Sequence, residues 1–131
     1  MATHVGMGRS RSRASRAAGL EIAEQALSPL DGRPPAIVLV FATSGHDQQA
    51  LVRAVREGTG GAPLVGCSAE GTISRYGSEE QSHAAVAAAI ASDEVTFDSF
   101  FEPGFADDSA ACARRLARAV RACERRGLLI V

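Results

Sequence analysis

Residues 36–41, AIVLVF, are apolar at every position and follow the turn chemistry of Asp31, Gly32, Arg33, Pro34 and Pro35. A short run with no polar alternation reads as a strand buried on both faces, the kind found in sheets whose neighbouring strands are reached through helical crossovers. A chain built around such a strand is an α/β protein. A second run, residues 63–73 (PLVGCSAEGTI), starts apolar at Leu64 and Val65 and changes within two residues to small polar groups between Gly66 and Gly71. Such a change marks a strand leaving its sheet for a ligand-facing loop, or a simple turn. Both readings stay open at this point.

Between the two runs, Ser44 and Asp47 make a capping-box-like start for a helix carrying Leu51, Val52 and Val55. Ahead of them, residues 2–8 (ATHVGMG) read as a first strand with Gly6 and Gly8 at its end. Residues 9–16 (RSRSRASR) read as a loop, with Ser10 or Ser12 as N-cap of a helix from about residue 13 to residue 30. On that helix Leu20, Ala23, Leu27 and Leu30 share one face, and Glu21, Glu24, Gln25 and Ser28 the other. Two strand-helix-strand units therefore precede Cys67, and right-handed crossovers make their neighbouring strands parallel.

After Gly71 the pattern changes. Residues 82–92, SHAAVAAAIAS, are helical by composition. They are a strand if the turn at Ser92, Asp93 and Glu94 pairs them with a half-buried strand in which Val95, Phe97 and Phe101 alternate with Thr96, Asp98 and Glu102, and this reading is preferred. Asp107 or Asp108 then caps a third helix, with Cys112, Leu116, Ala119, Val120 and Cys123 on its inner face and Arg114, Arg118, Arg121 and Arg125 on its outer one. Residues 127–131, GLLIV, read as a strand that stops without a turn. The expected fold is α/β: a mixed sheet, initially parallel from two βαβ units, flanked by helices, with an antiparallel second part, in a truncated domain over residues 1–131 whose segments 1–4 and 11–16 are flexible.

Composition narrows the functions. The length of 131 residues suits one modest domain, and the 46% hydrophobic content is that of a globular chain. Aromatics at 5% imply a lean core. A formal net charge of −1 gives no field that draws nucleic acid or an anionic membrane, and the Arg/Ser run lacks interleaved aromatics. No charge-free apolar stretch is long enough to span a bilayer, and no secretory leader is visible. The three cysteines show no metal spacing, and Cys112 and Cys123 lie about 16 Å apart along one helix, so a reducing cytoplasm fits. No cofactor is called for, because Gly6 and Gly8 lack a third glycine at nucleotide-loop spacing and no Gly-Lys-Ser/Thr ending is present. His4 and His83 have no companion at ligand spacing and read as ordinary polar positions, and Tyr76 as a surface tyrosine.

Four stretches carry a family resemblance: residues 6–10 (GMGRS), the helix 17–27 (AAGLEIAEQAL), the strand 37–42 (IVLVFA) with Asp47 beyond it, and residues 64–71 (LVGCSAEG). With its glycine four residues past Cys67, the last is the most specific. From about Val5 onward the chain resembles the N-terminal half of the FIST domain, a sensory module of prokaryotic signal transduction, bacterial sensors among them. The resemblance implies a cytoplasmic input domain that binds a small, amino-acid-like ligand. It also implies partners in a C-terminal half and a signalling output such as a kinase, cyclase or chemotaxis module. The Arg/Ser run after Ser10 departs from the family pattern.

Parallel strands would gather their carboxyl ends along one edge, where open α/β sheets hold ligands. The candidate ligand-binding residues are Ser10, Ser44, His46, Asp47, Cys67, Ser68, Glu70 and Gly71. Hydroxyls, main-chain N–H groups and the Asp47 helix start suit a carboxylate, and Asp47 or Glu70 suits an ammonium. Two competing readings remain. Cys67 could be a nucleophile with His46 as base, which makes the protein an enzyme, although binding without catalysis is the preferred reading. Alternatively, the Arg114, Arg118 and Arg121 face could dock an acidic partner.

Overall fold

The computed structural model describes residues 2–123 and 127–130. The chain divides into two compact units, Met1–Phe97 and Asp98–Val131. The first contains β1 (Thr3–Ser10), α1 (Ser15–Leu27), β2 (Ile37–Thr43), α2 (Gln48–Gly58), β3 (Leu64–Ala69), β4 (Thr72–Ser74), β5 (Gly77–Glu79) and β6 (Ala85–Ser92). A four-stranded sheet has the order β1-β6-β2-β3, and β4 and β5 form a separate hairpin. The pair β2/β3 is parallel, while β6 runs antiparallel to both β1 and β2. This is the mixed α/β sheet expected from the sequence, with a different neighbour relation. β1 and β2 run the same way but do not touch along their length, because the Ala-rich strand enters between them.

The Ala-rich segment is thus a strand, but not for the reason the sequence suggested. Residues 95–102 form no strand, and Val95 and Phe101 are exposed. What holds β6 is hydrogen bonding along both of its edges and the space its small side chains leave for α1. On β1, Gly6 and Gly8 lie within the strand rather than at its end, and both face the helix. A Cβ on Gly8 would sit 2.2 Å from the carbonyl oxygen of Ile22, and one on Gly6 would sit 1.9 Å from that of Ala26. Helix α1 therefore rides directly on backbone.

That closeness selects the buried face of α1. The sequence pattern pointed to Leu20, Ala23, Leu27 and Leu30; Ala23 and Leu30 are fully buried and Leu27 packs against the core, but the helix also buries Ala18, Gly19, Ile22 and Ala26, which that pattern left out. Small residues face a Gly/Ala sheet, while Leu20 is only half-buried. Helix α2 packs on α1 at a similar small-residue contact, where a Cβ on Gly19 would come within 2.6 Å of Leu51 O and 2.7 Å of Ala54 Cβ. Both crossovers step in the same direction across the sheet, so right-handed connections place both helices on one face. The two-sided burial expected for β2 holds on its helix side at Val38, Val40 and Ala42 and on the other face at Ile37 and Thr43, but not at Phe41, which is exposed.

The N-caps divide. Asp47 Oδ1 accepts from Ala50 N at 3.0 Å and starts α2, and Asp108 Oδ1 accepts from Ala111 N at 2.8 Å and starts α3 (Ser109–Ala122). Helix α1 begins at Ala14 without a side-chain cap, in place of the expected Ser10 or Ser12. In the second unit Cys112 is buried, while Leu116, Ala119, Val120 and Cys123 are partly so. Arg114, Arg118 and Arg121 are exposed as their spacing suggested. Arg125 lies outside the described residues. The strand read at the end of the chain is not present over residues 127–130, and Val131 is outside the described residues.

Candidate functional site

β1 and β2 share a partner to which each is antiparallel, and β3 is parallel to β2, so the carboxyl ends of all three strands lie along one edge. Helices α1 and α2 start at that edge, and β6 enters the sheet there. Across the four strands, Ser10, Ala85, Ala42 and Ser68 form one row, and Arg9, Val86, Phe41 and Cys67 the row before it. Successive rows project to opposite faces, so Ser10 and Ser68 face the helices and Cys67 does not. Ser10 and Ser68 are also three strand spacings apart, roughly 14 Å.

The eight candidates fall into four places. Ser10 is buried and committed: its hydroxyl donates to Glu21 Oε2 at 2.5 Å and accepts from Ser12 N at 3.1 Å, fastening the end of β1 to α1. Ser68 lines a cleft of about 270 Å³ between α2 and the outer strands, with Val40, Leu51, Val52 and Leu64, and Cys67 borders it although its side chain projects to the other face of the sheet. Glu70 and Gly71 belong to a second cleft, of about 430 Å³, against the β4–β5 hairpin.

Ser44, His46 and Asp47 form the fourth group, and it is the one built most tightly. Thr43 N–H donates to Ala84 O at 2.9 Å and Ala84 N–H donates back to Thr43 Oγ1 at 2.9 Å, which locks the end of β2 to the start of β6. The Asp47 N–H donates to Ser15 Oγ at 3.0 Å, and His46 Nδ1 lies 3.3 Å from the same oxygen. The His46 ring meets His83 edge-on, with centroids 5.3 Å apart. His46 is only 5% exposed and its Nε2 is buried without a hydrogen-bond partner. Ser44 is exposed beside it.

Ser15 and His83 are thus part of the site, although the sequence reading passed over Ser15 and took His83 for an ordinary polar position without a companion. Ser15 sits inside the Arg/Ser run, where its place as first residue of α1 was hidden by the expected earlier helix start. His83 precedes a strand whose sheet neighbours no local pattern reveals. At the hairpin, Arg9 stacks on Tyr76 with its guanidinium 4.8 Å from the ring centroid, Arg75 lies 5.4 Å from the same centroid, and Arg11 pairs with Glu79. The Arg/Ser run thereby ties the hairpin to the end of β1.

Burial first, and the neighbouring His83 second, hold the His46 imidazole below its ordinary value. The folded state therefore resists a proton that the unfolded chain accepts near pH 6.5. Stability is unaffected by this group above that pH, falls as pH drops through it, and stops falling once the lower folded value is passed. Urea unfolding at pH 7.5 and pH 5.5 should show a loss of stability at the lower pH that shrinks in His46→Gln. An equal loss in both proteins would remove His46 as its source.

Among the described residues no group of three or more His, Cys, Asp or Glu converges on a metal-sized point, and no helix is long and apolar enough to cross a membrane. Comparison with known families matches residues 36–131 to the FIST N domain. No curated protein matches the chain.

Proposed function

Because the chain belongs to the FIST N domain family, we propose that it is the ligand-receiving part of a signal-transduction protein, holding a small polar metabolite of amino-acid type at the carboxyl edge of its sheet. The observation that supports this most is the common direction of β1, β2 and β3, which brings three strand ends and the starts of two helices to one edge. Main-chain N–H groups and helix dipoles there favour an anionic group. The start of α1 has no side-chain cap and no acidic residue in its first turn, so its N–H groups are available to a carboxylate, and the loop that carries Ser44 is brought beside it by the contacts of His46 and Asp47 with Ser15. Asp47 uses Oδ1 on Ala50, which leaves its second oxygen for an ammonium, and Glu70 is the alternative acceptor.

Binding is favoured over catalysis by the hydrogen bonding of His46. Its Nδ1 is turned to Ser15 and its ring to His83, a use of the imidazole in holding the edge together rather than in activating Cys67. The partner that reads the bound state is a further signalling domain. Isothermal titration of the intact chain with the common amino acids should give saturable heat for at least one of them, and no heat from any would overturn the proposal.

A further inference from the structure

The cleft against the hairpin has about 430 Å³, within the range of sites that hold small organic molecules, and its walls include Glu70, Thr72, Ile73, Ser78, Glu79 and Glu80. Three carboxylates line it. Glu79 is neutralised by Arg11, with Arg9 at 4.0 Å. Glu70 and Glu80 are exposed and have no ion-pair partner among the described residues. Independently of these charges, Thr72 is 3% exposed and its Oγ1 is buried with no hydrogen-bond partner. A buried hydroxyl left unpaired is costly and can accept from a ligand N–H.

Two uncompensated carboxylates repel an anion, and the described residues contain no cluster of three or more ligands able to hold a metal ion. An organic cation meets both conditions, because an ammonium or guanidinium carries several N–H donors along with its charge. We propose that this cleft is the subsite for a cationic nitrogen group, so that the molecule sensed is an aliphatic amine with net positive charge, of the basic amino acid or diamine class. The proposal rests on the small-ligand reading above and narrows it.

The test is calorimetry on the intact chain with L-lysine, putrescine, L-leucine and L-glutamate, followed by Glu70→Gln, Glu80→Gln and Thr72→Val with whichever cation binds. Lysine, putrescine or both should bind. Each Gln variant should weaken that binding about tenfold, the lower end of what a hydrogen bond to a charged group contributes. Thr72→Val should weaken it as well while leaving the ligand-free melting temperature unchanged or higher, because it removes an unpaired buried hydroxyl. Binding by lysine alone makes the ligand carboxylate a required group, and binding by putrescine alone makes the diamine the class. Either result supports the subsite. Binding of leucine or glutamate without either cation overturns the subsite and leaves the small-ligand reading standing, whereas silence from all four together with the other amino acids overturns both. Cation binding indifferent to both exposed Gln substitutions also overturns it, whatever becomes of the Thr72 variant.

Discussion

Gly8→Val is expected to abolish cooperative folding of the Met1–Phe97 unit. The atoms in the way of even a first carbon are Ile22 O at 2.2 Å and the Ile22 carbonyl carbon and Cα at 2.8 Å, all main chain, so no rotamer change makes room. The helix has to lift, and Gly6, two residues earlier on the same strand face, holds the next turn of α1 just as closely at Ala26. Lifting α1 uncovers Ala18, Ile22 and Ala26, which are fully buried. Overpacking ordinarily costs about 1–3 kcal/mol, and a displaced helix with an uncovered core exceeds that range. Domains of this kind hold only about 5–15 kcal/mol in reserve, so the valine variant should show no thermal transition by circular dichroism. Gly8→Ala should fold with a melting temperature lower by about 10 °C or more, at roughly 4–8 °C per kcal/mol. A Gly8→Val protein melting like the parent would mean that α1 does not ride on β1.

Ile22→Ala should produce the next largest loss, about 3–5 kcal/mol from the upper part of the range for deleting a buried Leu or Ile side chain. Ile22 is fully buried in a cluster with Val38, Val40, Leu51 and Val55, and most other members are alanines. Alanines have no longer rotamer with which to fill a void, and the glycines of β1 contribute no side chain at all. The cavity therefore stays open, which is the circumstance in which large-to-small changes cost most. Ile22→Val should cost about 1 kcal/mol by the same reasoning. Urea unfolding of both variants measures the ratio, and comparable small losses in the two would show that the site can collapse around a deletion.

These two residues also show where sequence reasoning ran out. β2 and β3 were legible because an apolar run between turn residues has few other interpretations, and the helix after Asp47 because its cap and its apolar spacing agree. The buried face of α1 was only partly read because a search for amphipathic pattern weights leucine, whereas a helix seated on glycine and alanine also buries its small residues Ala18, Gly19 and Ala26. That preference is set by β1 together with β6, and β6 lies far away in the chain. Likewise the Ala-rich segment carries helix propensity, and only its position between two strands overrides it. Pairing at such sequence distance leaves no local mark, so neither the insertion of β6 between β1 and β2 nor the arrival of His83 beside His46 was visible.

The candidate site was legible to the same depth. Ser44, His46 and Asp47 lie where a strand turns into a helix, a local event, and the structure keeps them together. Ser10 was placed at the correct edge, but side-chain alternation turns its hydroxyl toward α1, where Glu21 takes it. Cys67 is one row removed and faces the opposite side of the sheet from Ser10 and Ser68. Register decides such matters, and a shift of one residue reverses every side chain in a strand.

Amide chemical-shift mapping with a bound amino acid or amine tests the functional account most directly. Shifts gathered at residues 14–17, 43–47, 67–72 and 78–84, around the start of α1, the carboxyl ends of β2 and β3, the hairpin and the entry of β6, are the expected result. Shifts confined to residues 31–36 and 59–63, at the opposite end of the same strands, would contradict a ligand site at the edge where the two helices begin.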